Sequence, residues 1–122
     1  MSLSLPRPDS PASDGGYRVR HPDRPDLQWT LAAGRYRIGR AQDAELRLSH
    51  PTVSRWHAEI EVLESGVVVT DLGSTNGVWL GNRRIRRIAI AGDFDLRVGA
   101  LSLEFFATGQ SQRSGGGGGG GI

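Results

Sequence analysis

The 122-residue chain contains no cysteine and no lysine. Without cysteine, neither a disulfide framework nor a thiolate metal site can hold a small fold together. Without lysine there can be no P-loop of the kind that grips nucleotide phosphates. Long apolar stretches are missing as well. The β-branched run Val67-Val68-Val69 falls far short of the ~20 apolar residues of a membrane-spanning helix, and nothing reads as a signal peptide. These absences favour the cytoplasm, or the cytoplasmic portion of a larger protein. The three histidines, at positions 21, 50 and 57, lack the close spacing of a zinc site. Helical periodicity over eleven or more residues is absent too.

With lysine missing, all fifteen basic residues are arginine, against thirteen acids, for a formal net charge of only +2. The isoelectric point near 9.9 therefore reflects guanidinium chemistry rather than a large basic excess. From Gly39 to Gly77 there are three arginines and six carboxylates, a local balance of −3. A phosphate-backbone binder should present a broad basic face, so this composition speaks against nucleic acid as the main partner.

Eighteen glycines and six prolines gather toward the ends. Residues 1–16 are rich in Pro, Ser, Asp and Gly and are expected to form a disordered leader. Residues 108–122 include a seven-glycine run and are expected to be a flexible tail or linker. The folding unit is then 17–107, large enough for one domain. Within it the apolar pattern is short and alternating. Leu27, Trp29 and Leu31 alternate with polar residues, as do Ala58, Ile60 and Val62, and then Leu101, Leu103 and Phe105. Turn residues recur at Gly34, Ser65-Gly66, Asn76-Gly77, Gly81-Asn82, Ala91-Gly92-Asp93 and Gly99. The pattern predicts an all-β sandwich or barrel of mostly antiparallel strands. Asn76-Gly77, between Val67–Asp71 and Val78–Leu80, reads as a hairpin turn with positive φ at both positions. Ile85 within Arg83–Arg87, and Ile88 just after it, suggest a strand with its apolar side buried.

Three stretches carry the chemistry: Gly39-Arg40, Ser54-Arg55-Trp56-His57-Ala58-Glu59 and Asp71-Leu72-Gly73-Ser74-Thr75-Asn76-Gly77. Each falls in a predicted loop or at the first residue of a strand. Guanidinium, hydroxyl and carboxamide groups with permissive glycines suit an oxyanion, since Arg offers paired donors and backbone amides complete the shell. An enzyme fits less well. Ser54, His57 and Asp71 could suggest a triad, but an extended chain starting near Ser54 would separate Ser54 from His57 by ~10 Å on opposite faces. No Gly-x-Ser-x-Gly elbow is present.

In these motifs, together with Leu48-Ser49-His50-Pro51-Thr52-Val53 and Gly81-Asn82 before Ile85, the chain resembles the forkhead-associated (FHA) domain from about Tyr36 to Phe105. The resemblance implies a sandwich of about eleven strands whose loops at one end hold a phosphothreonine peptide. It implies a site made by Arg40, Ser54, Arg55, Thr75 and Asn76. Gly39 and Gly77 would allow tight backbone paths, and His57 would support the Ser54 loop. Asn76 would bind the ligand main chain. No cofactor, metal or catalysis is implied. The partner would be a threonine-phosphorylated protein acted on by a Ser/Thr protein kinase. After Gly81 the chain reads Asn82-Arg83-Arg84, where the family more often has an Asn-Gly turn, at the end away from the binding loops. Two other functions are compatible with the chain. One is an FHA-fold scaffold for phosphate-independent contacts, favoured if Arg40 or Ser54 were missing; both are present. The other is nucleic-acid binding through Arg83–Arg87, a run that also suits a solvated strand edge. Trp56 is compatible with ligand contact or with packing on a neighbouring loop.

Overall fold

The computed structural model describes residues 16–108 of the chain. The expected tail beyond Thr108, and all of the expected leader except Gly16, lie outside them. Eleven strands follow one another: β1 (Tyr17–His21), β2 (Arg24–Leu31), β3 (Gly34–Gly39), β4 (Leu46–Arg47), β5 (Ala58–Leu63), β6 (Gly66–Asp71), β7 (Val78–Leu80), β8 (Arg83–Ile85), β9 (Arg87–Ile90), β10 (Phe94–Val98) and β11 (Leu101–Ala107). They form a six-stranded sheet ordered β2-β1-β11-β10-β7-β8 and a five-stranded sheet ordered β4-β3-β5-β6-β9. All pairings are antiparallel except β3 with β4. The all-β class expected from the alternating pattern is thus observed, and of the sandwich and barrel it allowed, the sandwich implied by the resemblance is the one formed.

Alternation explains the layers. Along β5, Ala58, Ile60 and Val62 are buried while Glu59 and Glu61 face outward, where Arg35 reaches both carboxylates at 3.9 and 3.7 Å. Val67 and Val69 of β6 enter the same core, and Val19, Leu96, Leu103 and Phe105 enter it from the other sheet. At one end Phe94 and Phe105 stack with centroids 4.6 Å apart, and Tyr17 meets Phe105 edge-on. Thr108 donates its amide to the carbonyl of Gly16 there, so the two ends of the described chain meet.

Two connections differ from the sequence expectation. Asn76-Gly77 does not close a hairpin. The strands on either side, β6 and β7, belong to different sheets, so residues 72–77 carry the chain across the sandwich. Of the pair, Gly77 alone has positive φ (+89°), and no described non-glycine residue does. An Asn-Gly pair signals a sharp turn, but which sheet the next strand joins depends on distant pairing partners. The second difference concerns Arg83–Arg87, which is not one strand. Arg83 and Arg84 lie on β8 of one sheet, Arg87 starts β9 of the other, and Arg86 is the crossing. The basic cluster is therefore divided between two edge strands, although Arg84 and Arg86 still line one hollow together with the Asp71 carboxylate.

The Gly81-Asn82 turn is a two-residue hairpin loop, since Leu80 pairs with Arg83. Gly81 has φ +60° at its first position and Asn82 does not adopt positive φ, the dihedral pattern of a II′ turn. An Asn-Gly pair would make the I′ form. Either type joins the two strands tightly, so the departure from the family pattern leaves the strand pair intact.

Candidate functional site

Strand directions decide which loops meet. Ile38 pairs with Ala58 and Ala58 with Asp71, so the end of β3, the start of β5 and the end of β6 lie together. Val78 pairs with Val98 and Val98 with Leu101, which brings the start of β7 and the β10–β11 turn to the same end. The three motif stretches converge there, and the Gly81-Asn82 turn is at the opposite end of β7.

The first two loops are stitched by backbone bonds. The Arg40 amide donates to the Ser54 carbonyl at 3.0 Å and the Ala41 amide to Arg55 at 3.2 Å. Contact is so close that a Cβ on Gly39 would lie 1.9 Å from the Arg55 carbonyl oxygen, which only glycine avoids. Arg40 is exposed, and its Nε donates to the Val53 carbonyl at 2.6 Å. That bond occupies Nε and leaves the two terminal nitrogens of this exposed side chain available to a ligand. Beside it a hollow of about 430 Å³ is lined by Arg40, Ala41, Gln42, Asp43, Arg55 and Trp56.

The third loop leans on the second. The Thr75 amide donates to Ser54 Oγ at 3.1 Å, and Asn76 Nδ2 donates to the Thr52 carbonyl at 2.8 Å. Arg40, Arg55, Thr75 and Asn76 are exposed and Ser54 is half-buried. Five groups able to contact a ligand thus stand at one end of the sandwich. An oxyanion is the ligand that guanidinium and hydroxyl groups of this kind can hold.

His57 is fully buried beneath them. The Ser54 amide donates to its Nδ1 at 3.0 Å, so that nitrogen carries no proton, and Nε2 therefore donates to the Gly77 carbonyl at 2.8 Å. One imidazole thereby joins the second loop to the third. The expectation of an extended Ser54–His57 segment fails here: β5 begins only at Ala58, and residues 54–57 turn back on themselves. The conclusion drawn about a triad still stands on different grounds. Both ring nitrogens are occupied by backbone groups, Ser54 Oγ is bonded by the Thr75 amide, and Asp71 Oδ1 accepts the Ser74 amide rather than meeting the imidazole. Among the described residues no cluster of three or more His, Cys, Asp or Glu could hold a metal ion.

Trp56 is half-buried, with the Arg37 guanidinium 4.3 Å above its ring. Arg37 is held in turn by Glu45, whose Oε1 accepts the Arg37 amide at 2.8 Å. That hydrogen bond, aided by the nearby guanidinium, keeps the Glu45 carboxyl below the usual carboxylate range. The indole therefore packs against the neighbouring strand while forming one wall of the Arg40 hollow.

Sequence reasoning missed three contributors. Ser74 is buried, and its Oγ accepts the Gly77 amide at 3.0 Å. Thr52 supplies the carbonyl that Asn76 binds, and its Oγ1 accepts the Ala100 amide. Arg84, counted with the basic cluster, reaches back along β7 so that its Nη2 donates to the Ser74 carbonyl at 3.3 Å and its guanidinium lies against Gly77. Arg84→Ala should cost about 1 kcal/mol of stability and speed hydrogen exchange at the Thr75 and Gly77 amides. Arg83→Ala, at the far end of β8, should change neither. Equal exchange in wild type and Arg84→Ala would show that Arg84 does not brace the loop.

A family profile described as FHA domain matches residues 36–100. The chain belongs to the FHA domain family. Among similar proteins, it is 39% identical over 67 residues to the transcriptional regulatory protein EmbR of Mycobacterium tuberculosis, a match covering 55% of this chain and 17% of EmbR. Its structure resembles that of Mycobacterium tuberculosis Rv1747 FHA-1, with TM-score 0.68, 30% identity, and coverage of 77% of this chain and 97% of that one. It also resembles an FHA domain solved in a structural and functional analysis of phosphothreonine-dependent FHA domain interactions. There the TM-score is 0.69 at 30% identity, covering 75% of this chain and 95% of the other. The chain spans only 3% of the length of FHA domain-containing protein PS1 of Arabidopsis thaliana and 17% of EmbR. Among the described residues, no helix is long and apolar enough to cross a membrane.

Proposed function

We propose that this FHA domain is a non-catalytic module that binds phosphothreonine in a partner protein, downstream of a Ser/Thr protein kinase, in the cytoplasm. The folding unit is 17–107, with 1–16 as leader and 108–122 as tail. The observation that carries the reading is the convergence of Arg40, Ser54, Arg55, Thr75 and Asn76 on one end of the sandwich, in loops already tied to one another. Preformed loops reduce the ordering cost of binding, so a few charge-assisted bonds suffice. Arg40 and Arg55 supply charge to a phosphate dianion, the Ser54 and Thr75 hydroxyls complete its shell, and Asn76 holds the peptide main chain. Affinity near micromolar, about −8 kcal/mol, is expected.

The partner is separate from this segment's own last threonine. Thr108 follows the far end of β11, roughly 20 Å along the strand from Leu101 at the binding end. A titration with paired peptide libraries, one carrying phosphothreonine and one the unmodified residue, tests the reading. Binding of the first alone is expected, with weaker binding when phosphoserine replaces phosphothreonine and the methyl contact is lost. Equal binding of phosphorylated and unmodified libraries would exclude phosphate recognition.

A further inference from the structure

A second hollow, of about 360 Å³, opens at the same end of the sandwich and is used by none of the residues assigned above. Its apolar lining comes from Leu27, Leu48 and Leu101, and its polar lining from His21, Arg24, Arg47, Ser49 and His50. No carboxylate lines it. We infer that this hollow is an acid-reading subsite, which receives an Asp or Glu side chain flanking the phosphothreonine in the bound peptide. The inference rests on the phosphopeptide reading and adds a sequence preference to it.

The donor chemistry comes from hydrogen bonds on the far sides of the two imidazoles. His21 Nδ1 accepts the Asp23 amide at 3.1 Å. His50 Nδ1 accepts the Thr52 amide at 3.1 Å and lies 2.8 Å from Thr52 Oγ1. Because Thr52 Oγ1 takes the Ala100 amide as an acceptor, its hydroxyl proton is free to point at His50. A nitrogen that accepts a backbone N–H carries no proton, so both rings keep theirs on Nε2, as donors. Arg24 is tied to Asp26, with its Nε 3.3 Å from Oδ1 and Nη2 3.1 Å from Oδ2, so its charge is largely matched already. Arg47 is different. Its Nε donates to the Arg40 carbonyl at 3.1 Å, and among the described residues no carboxylate pairs with it. The lining thus combines one guanidinium without a carboxylate partner, two imidazoles that each keep an N–H donor, and three leucines. A carboxylate on a short aliphatic stem matches both halves of that surface.

Continuity with the phosphate loops supports a peptide side chain as the occupant. Arg47 touches the Arg40 backbone, and His50, which lines the hollow, is bonded to Thr52, whose carbonyl accepts from Asn76. An extended peptide lying on Asn76 advances ~3.3 Å per residue and passes this rim within a few positions. The hollow between Asp71, Ser74, Arg84 and Arg86 is less suited, because a carboxylate lines it and Arg84 is already spent on the Ser74 carbonyl.

The test uses the full chain and phosphothreonine peptides in which Glu or Gln is placed in turn at each flanking position. One position should favour Glu over Gln by about fivefold or more at low salt, with the ratio shrinking as ionic strength rises. In Arg47→Gln that ratio should collapse toward one; because it compares two peptides on the same variant, any loosening of the Arg40 loop through the lost Arg47–Arg40 bond lowers both affinities and cancels. Phosphopeptide binding with no acidic preference anywhere, or a preference that survives Arg47→Gln, would overturn the inference and leave the phosphopeptide function standing. Failure of every phosphopeptide to bind would overturn both.

Discussion

Arg40→Ala should weaken phosphothreonine-peptide binding by about 100-fold or more while the domain remains folded. The magnitude follows from the bonds at stake. Arg40 Nε is committed to the Val53 carbonyl, so the two terminal nitrogens remain for the phosphate. Two charge-assisted hydrogen bonds at ~1.5–3 kcal/mol each correspond to about two to four decades of affinity. The fold should survive because Arg40 is exposed and the Arg40–Ser54 backbone bond does not involve the side chain. Arg40→Lys should recover little, since an ammonium cannot hold the Val53 carbonyl and still present a fork of donors. Binding within about threefold of wild type for Arg40→Ala, a change of well under 1 kcal/mol, would remove Arg40 from the site.

His57→Ala should damage stability more than any exposed residue of the site. Its removal strips a partner from the Ser54 amide and from the Gly77 carbonyl, and leaves a cavity where a fully buried ring stood. Each buried group left unpaired costs ~1–3 kcal/mol, with the cavity adding to it. A loss of at least about 3 kcal/mol, or a fall in Tm of more than about 12 °C for a domain of this size, is expected. Peptide affinity measured well below that Tm should also fall, because the second and third loops lose their link. Calorimetric unfolding decides the matter. A Tm within about 3 °C of wild type would mean that the loops hold their shape without the imidazole.

These two residues also mark how far the sequence could be read. Arg40 and the other groups proposed to face the ligand could be picked out because each stands in a motif with a fixed order and separation. The alternation of Ala58, Ile60 and Val62 with Glu59 and Glu61 was legible for a related reason, since burial on one face imposes a period of two. The Ser54–His57 turn was not, because its shape depends on a hydrogen bond from a main-chain amide to a side chain three residues on. Nothing in local alternation encodes that bond. The role of Arg84 was hidden differently. A run of arginines looks the same whether the side chains are solvated or folded back, and only the pairing of β8 with β7 brings Arg84 to Ser74. The sheet change between β6 and β7 is non-local in the same sense. His21, at the end of β1, and His50, in the segment after β4, come to line one hollow although far apart in the chain. Counting histidines for zinc spacing could not reveal that arrangement.

The central claim is that a phosphothreonine peptide seats on the converging loops and not elsewhere on the sandwich. Backbone amide chemical shifts, recorded while a phosphothreonine peptide is added and compared with its unphosphorylated twin, test this most directly. The account predicts that the phosphorylated peptide alone moves the amides of Arg40, Ser54, Arg55, Thr75 and Asn76, leaving those around Gly81-Asn82 in place. Shifts that gather on β8 and β9 around Arg83–Arg87, or equal shifts with either peptide, would contradict it.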